Sequence, residues 1–192
     1  VQDAGTEMRA LVKIQSIKKY VKGVFKILKK MVKQDFIYNI KYLFIIFFLV
    51  FIDLFSKSYA LENFSHGISY ETFIPFIDFL LIFNSGIAFG IFDSSNILIS
   101  YILLILTLII FFYLIAMIFD EHKFTKKIAL VIISAGALGN IIDRAIDGKV
   151  TDFLHLEVQN FSFFVFNLAD SFITIGAILI IYFEIINKFK NE

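Results

Sequence analysis

Four long apolar segments, separated by more polar connections, dominate the chain. They cover residues 42–60, 97–119, about 127–145 and about 163–186. A helix rises about 1.5 Å per residue, so each segment is long enough to cross the roughly 30 Å hydrocarbon core of a bilayer. The pattern therefore predicts four transmembrane helices.

The connection between the first two segments, residues 61–96, has a mixed pattern. Residues 73–92 are apolar enough to resemble another transmembrane helix. However, Pro75, Asp78 and the run N-S-G-I-A-F-G at 84–90 favour turns and short strands. We therefore predict a small β-containing element here rather than a fifth span.

The distribution of positive charge predicts the topology. Ten of the eighteen Lys and Arg residues lie at or before Lys41, and further lysines follow the second and fourth spans. Basic residues flank the cytoplasmic side of membrane proteins, so these groups should share that side, which requires an even number of spans. The predicted fold class is an all-α polytopic membrane protein with four transmembrane helices and a small extracytoplasmic β-containing element between helices 1 and 2. Both termini are expected to be cytoplasmic.

Composition agrees with a membrane protein. The chain has 192 residues, of which 59% are hydrophobic and 18% charged, and its mean hydropathy is +0.83. It contains no Cys, so disulfides and Cys-ligated metals are excluded. Residues 1–41 are basic with apolar positions at helical spacing, which fits an amphipathic cytoplasmic extension and equally a segment without a role. The membrane domain is expected at 42–187, with a cytoplasmic tail at 188–192.

Carboxylate, amide and guanidinium groups collect near the ends of the apolar segments. They occur in G-A-L-G-N-I-I-D-R at 136–144, V-T-D-F at 150–153 and F-N-L-A-D-S at 166–171. Asp53 and Lys57, one helical turn apart, are interpreted as a structural ion pair. An ionisable group inside a bilayer costs about 2.5–3.5 kcal/mol on insertion scales, so such groups persist mainly where they pair or react. In the four-span topology the polar residues converge towards the outer face of the membrane: Asp53, Lys57, Asn84, Asp143, Asp152 and Asp170.

The residue types in these clusters narrow the possible chemistry. Without Cys, G-x-S-x-G or H-E-x-x-H, and with three scattered histidines, nucleophilic and zinc-dependent hydrolysis are poorly supported. Two aspartates that share a proton can instead activate water and protonate a leaving amine. Asp170 begins the fourth span, and Asp143 and Asp152 are both candidate partners for it. Asp143 adjoins Arg144, which favours a structural ion pair. Asp152 lies among apolar or neutral residues, and desolvation of its carboxylate in such surroundings would raise its pKa.

Five motifs in order resemble the lipoprotein signal peptidase family (signal peptidase II), bacterial membrane aspartyl proteases, over about residues 42–186. They are D-L-F-S-K at 53, N-S-G-I-A-F-G at 84, G-A-L-G-N-I-I-D-R at 136, V-T-D-F at 150 and F-N-L-A-D-S at 166. The resemblance implies that Asp152 and Asp170 are the catalytic dyad. It also implies supporting or substrate-binding roles for the other polar residues of the motifs: Asp53, Lys57, Asn84, Gly86, Asn140, Asp143, Arg144 and Asn167. The chain departs mildly from the family pattern at Leu54, Ser56 and Ala135.

The resemblance also implies the reaction and its setting. The enzyme would be an aspartic endopeptidase that removes the signal peptide from diacylglyceryl-modified prolipoproteins, cutting before the lipidated Cys. Its partners would be lipidated prolipoproteins, membrane lipids and globomycin-type inhibitors, with no nucleic acid, no cofactor and no metal. It would be a multi-pass protein of the bacterial cytoplasmic (inner) membrane, with its active site towards the outer face.

Two other function classes fit parts of the pattern. A transporter would use Asp53, Lys57, Asp143 and Asp170 as a proton or ion relay. The second span, however, has only two non-aromatic polar residues, at 100 and 107, to line a route inward. A metal-dependent lipid head-group transferase would use paired aspartates as ligands, and a chelator would inhibit it.

Overall fold

The structure is a computed structural model that describes residues 22, 37–86, 97–158 and 161–191. The predicted amphipathic helix within 1–41 lies almost entirely outside the described residues. Residues 87–96, which include the second half of the motif at 84–90, also lie outside them. The chain forms two compact units, Val1–Lys41 and Tyr42–Glu192. The second unit contains every predicted site residue.

Four helices of the described residues are long and apolar enough to cross a membrane, which confirms the four predicted spans. They are α1 (Ile37–Asn63), α2 (Ile97–Asp120), α3 (Phe124–Asp147) and α4 (Leu168–Asn191). Helix α3 packs against both α2 and α4. A buried apolar core joins the first three helices through side chains such as Ile46, Ile118 and Val131.

Small residues let α3 approach its neighbours closely. A Cβ atom added to Gly136 would lie 2.2 Å from the carbonyl oxygen of Ala169 in α4. One added to Gly139 would lie 2.4 Å from Oδ2 of Asp53 in α1. Any larger residue at these positions would push the helices apart, so the glycines determine how close the polar groups of α1, α3 and α4 come to one another.

A four-stranded antiparallel sheet lies at one end of the helices. Its strands are β1 (Ser69–Tyr70), β2 (Ile77–Asn84), β3 (Val150–Val158) and β4 (Phe161–Phe166), in that order. The first two strands confirm the β-containing element predicted between helices 1 and 2. The other two come from the connection between α3 and α4, and the sequence pattern did not predict them.

The fourth span was predicted to start at residue 163, and this boundary was wrong. Residues 161–166 (F-S-F-F-V-F) form β4, and the helix begins only at Leu168. A short apolar run has the same hydrophobic pattern in a buried strand as in a helix, so periodicity alone could not separate the two. The change places Asn167 and Asp170 at the start of a helix that emerges directly from the sheet.

The pairing of β2 with β3 positions two of the predicted site residues. Asn84 lies opposite Val150, and Ile82 lies opposite Asp152. Beneath the sheet, Leu81 and Phe153 are buried together with Ala60 near the end of α1. This small apolar core attaches the sheet to the helices. It therefore fixes the position of Asp152 along the helix axes.

Candidate active site

The structure brings all ten predicted site residues into one hydrogen-bonded region between the helices and the sheet. Each element contributes a few of them: Asp53 and Lys57 from α1, Asn84 and Gly86 from the end of β2, Asn140, Asp143 and Arg144 from α3, Asp152 from β3, and Asn167 and Asp170 from the start of α4. Residues far apart in sequence meet because α1, α3, the sheet and α4 share this end of the molecule.

A buried ion cluster centred on Lys57 joins α1 to α3. Its Nζ lies 2.8 Å from Oδ2 of Asp53 and 3.1 Å from Oδ2 of Asp143, and the lysine and Asp53 are almost fully buried. Oδ1 of Asp53 accepts a hydrogen bond of 2.8 Å from the backbone N–H of Ala169 in α4. The predicted Asp53–Lys57 pair is therefore present, as part of a cluster that links three helices.

Asp143 forms a structural ion pair, but its partner is Lys57, so the predicted pairing with Arg144 was wrong. Adjacent residues of a helix point in different directions and do not face each other. The second oxygen contact of Asp143 is with the backbone N–H of Thr151 at 3.0 Å, which ties α3 to β3. Arg144 instead donates from Nη2 to the carbonyl oxygen of Gly86 at 2.9 Å.

Asn167 caps α4 and orients Asp170. Oδ1 of Asn167 accepts the backbone N–H of Asp170 at 2.9 Å, while Oδ2 of Asp170 faces the backbone N–H of Asn167 at 3.4 Å. This reciprocal arrangement is a capping box, in which the first residue and the third helical residue satisfy each other's free N–H groups. The carboxylate of Asp170 is consequently fixed at a helix N-terminus, where the helix dipole favours negative charge.

Asp152 is buried, with 1% of its surface exposed, and two amides hold its carboxylate. Nδ2 of Asn167 donates to Oδ1 at 2.6 Å, and Nδ2 of Asn84 donates to Oδ2 at 3.0 Å. Burial, followed by the negative charge of Asp170, raises the pKa of Asp152 to about 7, against the opposing effect of the two amides and the charge of Lys57. The desolvation predicted from its apolar neighbours in sequence is therefore present.

Two asparagines connect the ion cluster to both aspartates. Oδ1 of Asn140 accepts hydrogen bonds from Lys57 at 3.1 Å and from Asn167 at 3.2 Å, so its Nδ2 is left to donate to Oδ1 of Asp170 at 2.8 Å. Asn167 contacts both carboxylates, because its side chain binds Asp152 and its backbone N–H faces Asp170. Lys57 thus determines the orientations of the Asn140 and Asn167 amides. In these orientations the amide Nδ2 of Asn140 faces Asp170 and that of Asn167 faces Asp152.

A cavity of about 310 Å³ opens beside this network. Its polar wall comprises Asn84, Asn140, Arg144 and Asp170, whereas Asp152 lies behind Asn84 and does not line it. Its apolar wall includes Val150, Phe164, Phe166 and Ile173. A second space of about 350 Å³ adjoins it between β4 and α4 and shares Phe164, Phe166, Asp170 and Thr174. An extended apolar chain with one polar group would match these walls.

Sequence reasoning missed the residues of β4 and α4 that form the apolar wall. Phe164 and Phe166 were assigned to a transmembrane helix, and Ile173 and Thr174 carry no recognisable motif. Recognising residues 161–166 as a strand would have identified the two phenylalanines, because alternate residues of a strand share a face. The backbone donors Thr151 and Ala169 lie inside the V-T-D-F and F-N-L-A-D-S motifs, but a backbone N–H does not depend on residue type, so their roles were not predicted.

Two carboxylates held by one asparagine, one of them with a raised pKa, have the chemistry required for proton transfer to and from water. Comparisons with known proteins agree with this chemistry. The family model for Signal peptidase (SPase) II matches residues 45–186. The lipoprotein signal peptidase of Polynucleobacter necessarius is 37% identical over 154 residues, which are 80% of this chain and 94% of that protein.

Further relatives give the same result. The lipoprotein signal peptidase of Neisseria meningitidis serogroup B is 35% identical over 144 residues, which are 74% of this chain and 87% of that protein. A solved structure described as a bacterial membrane enzyme at 2.3 Å resolution matches with a TM-score of 0.65 at 30% identity, over 79% of this chain and 92% of that one. Because the family model and these relatives cover most of the described membrane domain, the chain belongs to the signal peptidase II family.

Proposed function

We propose that this protein removes the signal peptide from lipoprotein precursors and that Asp152 and Asp170 carry out the cleavage. The observation that carries the proposal is Asn167, which contacts both carboxylates beside a cavity with apolar walls. The precursor is proposed to be diacylglyceryl-modified and cut on the amino side of its lipidated Cys. A transporter or a lipid head-group transferase is not favoured, since the family is one of peptidases.

The dyad works through one shared proton. The raised pKa of Asp152 allows the pair to retain a proton near neutral pH while the other carboxyl stays ionised. The ionised carboxylate takes a proton from water as the water oxygen attacks the scissile carbonyl carbon, and the protonated carboxyl gives its proton to the carbonyl oxygen. Transfer of a proton to the amide nitrogen then breaks the C–N bond and releases the signal peptide.

The neighbouring polar groups support this reaction. Asn140 and Asn167 hold the two carboxylates, and the cluster of Asp53, Lys57 and Asp143 fixes those amides in turn. Arg144 lines the cavity and binds the carbonyl oxygen of Gly86, so it secures the segment after β2 against α3. We assign Asn84 and Gly86 to the substrate-binding part of the cavity.

The substrate reaches this site within the membrane. A lipidated precursor is itself a membrane-anchored chain, so confinement to one bilayer brings its scissile bond to the depth of the dyad and reduces the entropy lost on binding. The spaces between β4 and α4, walled by Phe164 and Phe166, are proposed to take the acyl chains. Globomycin-type cyclic peptides are expected to inhibit by occupying the same cavity.

The site is proposed to face the outside of the cell, with both termini in the cytoplasm. Basic residues support this orientation, because Lys123, Lys126 and Lys127 lie at the start of α3 and Lys188 lies in the last turn of α4, at the end of these helices away from the sheet. Basic residues concentrate on the cytoplasmic side of membrane proteins. The bacterial inner membrane is the expected location.

Cleavage of a lipidated precursor by the purified protein tests the proposal. A synthetic diacylated prolipoprotein should be cut before its modified Cys in the presence of excess chelator, and an unlipidated version should be cut far more slowly. Equal rates of cleavage for the diacylated and the unlipidated precursor would contradict the proposed requirement for the lipid. Complete inhibition by chelator, reversed by added zinc or magnesium, would contradict the aspartic mechanism and favour the metal-dependent class.

A further inference from the structure

A second group of ionisable side chains lies on the sheet, apart from the dyad. Asp78 on β2 lies directly opposite His155 on β3, and Glu157 follows two residues along β3. Opposed residues on neighbouring strands share a face of the sheet, and so do residues two apart on one strand. One ligand atom from each of the three side chains lies within 4.8 Å of the other two.

The imidazole of His155 is buried, and within the part of the chain that the structure describes one of its ring nitrogens lacks a hydrogen-bond partner. Its side chain is 5% exposed. Nε2 lies 2.7 Å from Oγ of Ser162, whereas Nδ1 has no hydrogen-bond partner among the described residues and lies 3.5 Å from Oε2 of Glu157. When Nε2–H donates to the serine hydroxyl, the lone pair of Nδ1 points towards two carboxylates. In that tautomer three electron-pair donors face one another, and a cation between them satisfies all three.

The surroundings of this cluster also resemble those of a metal ligand set. A histidine that binds a metal through one ring nitrogen usually has its other ring nitrogen hydrogen-bonded to a neighbouring group, and Nε2 of His155 is within hydrogen-bonding distance of the Ser162 hydroxyl. Asp78 is oriented in a similar way, because its Oδ1 faces the backbone N–H of Thr72 at 3.4 Å. His155 and Asp78 are therefore each held by a neighbouring group that does not compete for the ion.

We propose that Asp78, His155 and Glu157 bind a divalent transition-metal ion of the Zn²⁺ class. One imidazole and two carboxylates are N and O donors typical of zinc sites, with bonds of about 2.0–2.2 Å that place ligand atoms about 3.4 Å apart in a tetrahedron. The two carboxylates are partly exposed, and the ligand atoms need to close by at most about 1.4 Å on binding. An imidazole ligand favours Zn²⁺ over Mg²⁺ or Ca²⁺, which prefer oxygen alone.

The ion would join β2 to β3 near one end of their pairing, close to two irregularities of the sheet. The register of β2 shifts between Phe79 and Ile82, and that of β3 against β4 shifts between Leu156 and Glu157. A metal bound across the two strands at this point stabilises the sheet three residues away from Asp152. Its role is structural and separate from the metal-independent cleavage step.

Metal titration of the purified full-length protein tests the site. After stripping with chelator, tag-free protein should bind one Zn²⁺ per chain, measured by competition with a chromogenic chelator. His155→Ala should lower the affinity at least tenfold, and Asp78→Asn and Glu157→Gln should lower it similarly. His66→Ala is the matched control, because His66 is exposed on the same sheet and should leave the affinity unchanged.

Thermal unfolding and cleavage complete the test. Zn²⁺ should raise the Tm of the parent protein and not that of Asp78→Asn, since only a folded site binds the ion. Ser162→Ala keeps all three ligands and should weaken binding about tenfold, which distinguishes a site from a variant that fails to fold. Wild-type zinc affinity in His155→Ala, or its loss in His66→Ala, would overturn the proposal. Cleavage in chelator is measured separately, so failure of the metal site leaves the aspartic mechanism untouched.

Discussion

Replacing Asn84 by Leu should shift the pH dependence of cleavage upwards. Asn84 donates a hydrogen bond of 3.0 Å to Oδ2 of Asp152 and thereby stabilises its ionised form. Leucine has the same branching and number of side-chain heavy atoms and cannot donate, so the ionised carboxylate loses this partner in a buried place. The pKa of Asp152 therefore rises in the variant, and the dyad keeps its proton to higher pH.

The size of the shift follows from the strength of that hydrogen bond. A hydrogen bond to a charged group contributes about 1.5–3 kcal/mol. One pKa unit corresponds to about 1.4 kcal/mol, so losing the bond raises the pKa by about one to two units. Because the pKa of Asp152 starts at about 7, the basic limb of the profile should move to about pH 8–9. The two apparent pKa values belong to the coupled pair.

The assay is kcat/KM for a lipidated precursor, measured from pH 5 to pH 10 in the parent and in Asn84→Leu. Thr174→Val is the control, because Thr174 lines the same cavity without a hydrogen bond to Asp152. The basic limb of the Thr174→Val profile should coincide with the basic limb of the parent profile. An unchanged limb in Asn84→Leu, or one displaced to lower pH, would refute the assignment of Asp152 as a titrating member of the dyad.

Three further predictions concern the framework of the site. Gly139→Ala should destabilise the protein by about 1–3 kcal/mol, seen as a lower Tm in detergent, because its Cβ would lie 2.4 Å from Oδ2 of Asp53; an unchanged Tm would contradict this packing. Lys57→Met should cost about 3–5 kcal/mol by leaving buried carboxylates unpaired, and adding Asp53→Asn should restore part of that stability, because Asp143 still lacks its partner; no recovery would contradict the cluster. Because the chain has no Cys, Ser65→Cys should react with impermeant thiol reagents from outside and Thr125→Cys should not; the reverse pattern would invert the proposed topology.

The four spans were predictable from the sequence because long apolar runs leave few alternatives in a membrane protein. The strand β2 was also predictable, since Pro75 and Asp78 argue against a span. The strand β4 was not, because a six-residue run with five apolar residues next to a helix has no distinctive period. Assigning residues 161–166 to a strand requires knowledge of their pairing with β3, which is a tertiary contact.

Family motifs and physical reasoning contributed differently to the candidate site. The motifs implied the dyad, while residue chemistry alone left Asp143 and Asp152 as competing partners of Asp170. The structure shows Asp143 bound to Lys57, a contact between residues 86 positions apart that no local pattern reveals. The proposed pairing of Asp143 with Arg144, by contrast, was avoidable, because neighbouring helical residues point apart.

The most direct test of the dyad compares cleavage of a lipidated precursor by Asp152→Asn, Asp170→Asn and Asp143→Asn. Asp→Asn keeps the size of the side chain and removes its ionisation. The first two variants should lose about four orders of magnitude in turnover while keeping their Tm and inhibitor binding, and the double variant should be hardly worse than either. Asp143→Asn should mainly lower stability, since Asp143 serves Lys57 and the backbone of Thr151. Near-full cleavage by Asp152→Asn, together with an inactive but well-folded Asp143→Asn, would contradict the assignment and make Asp143 the partner of Asp170.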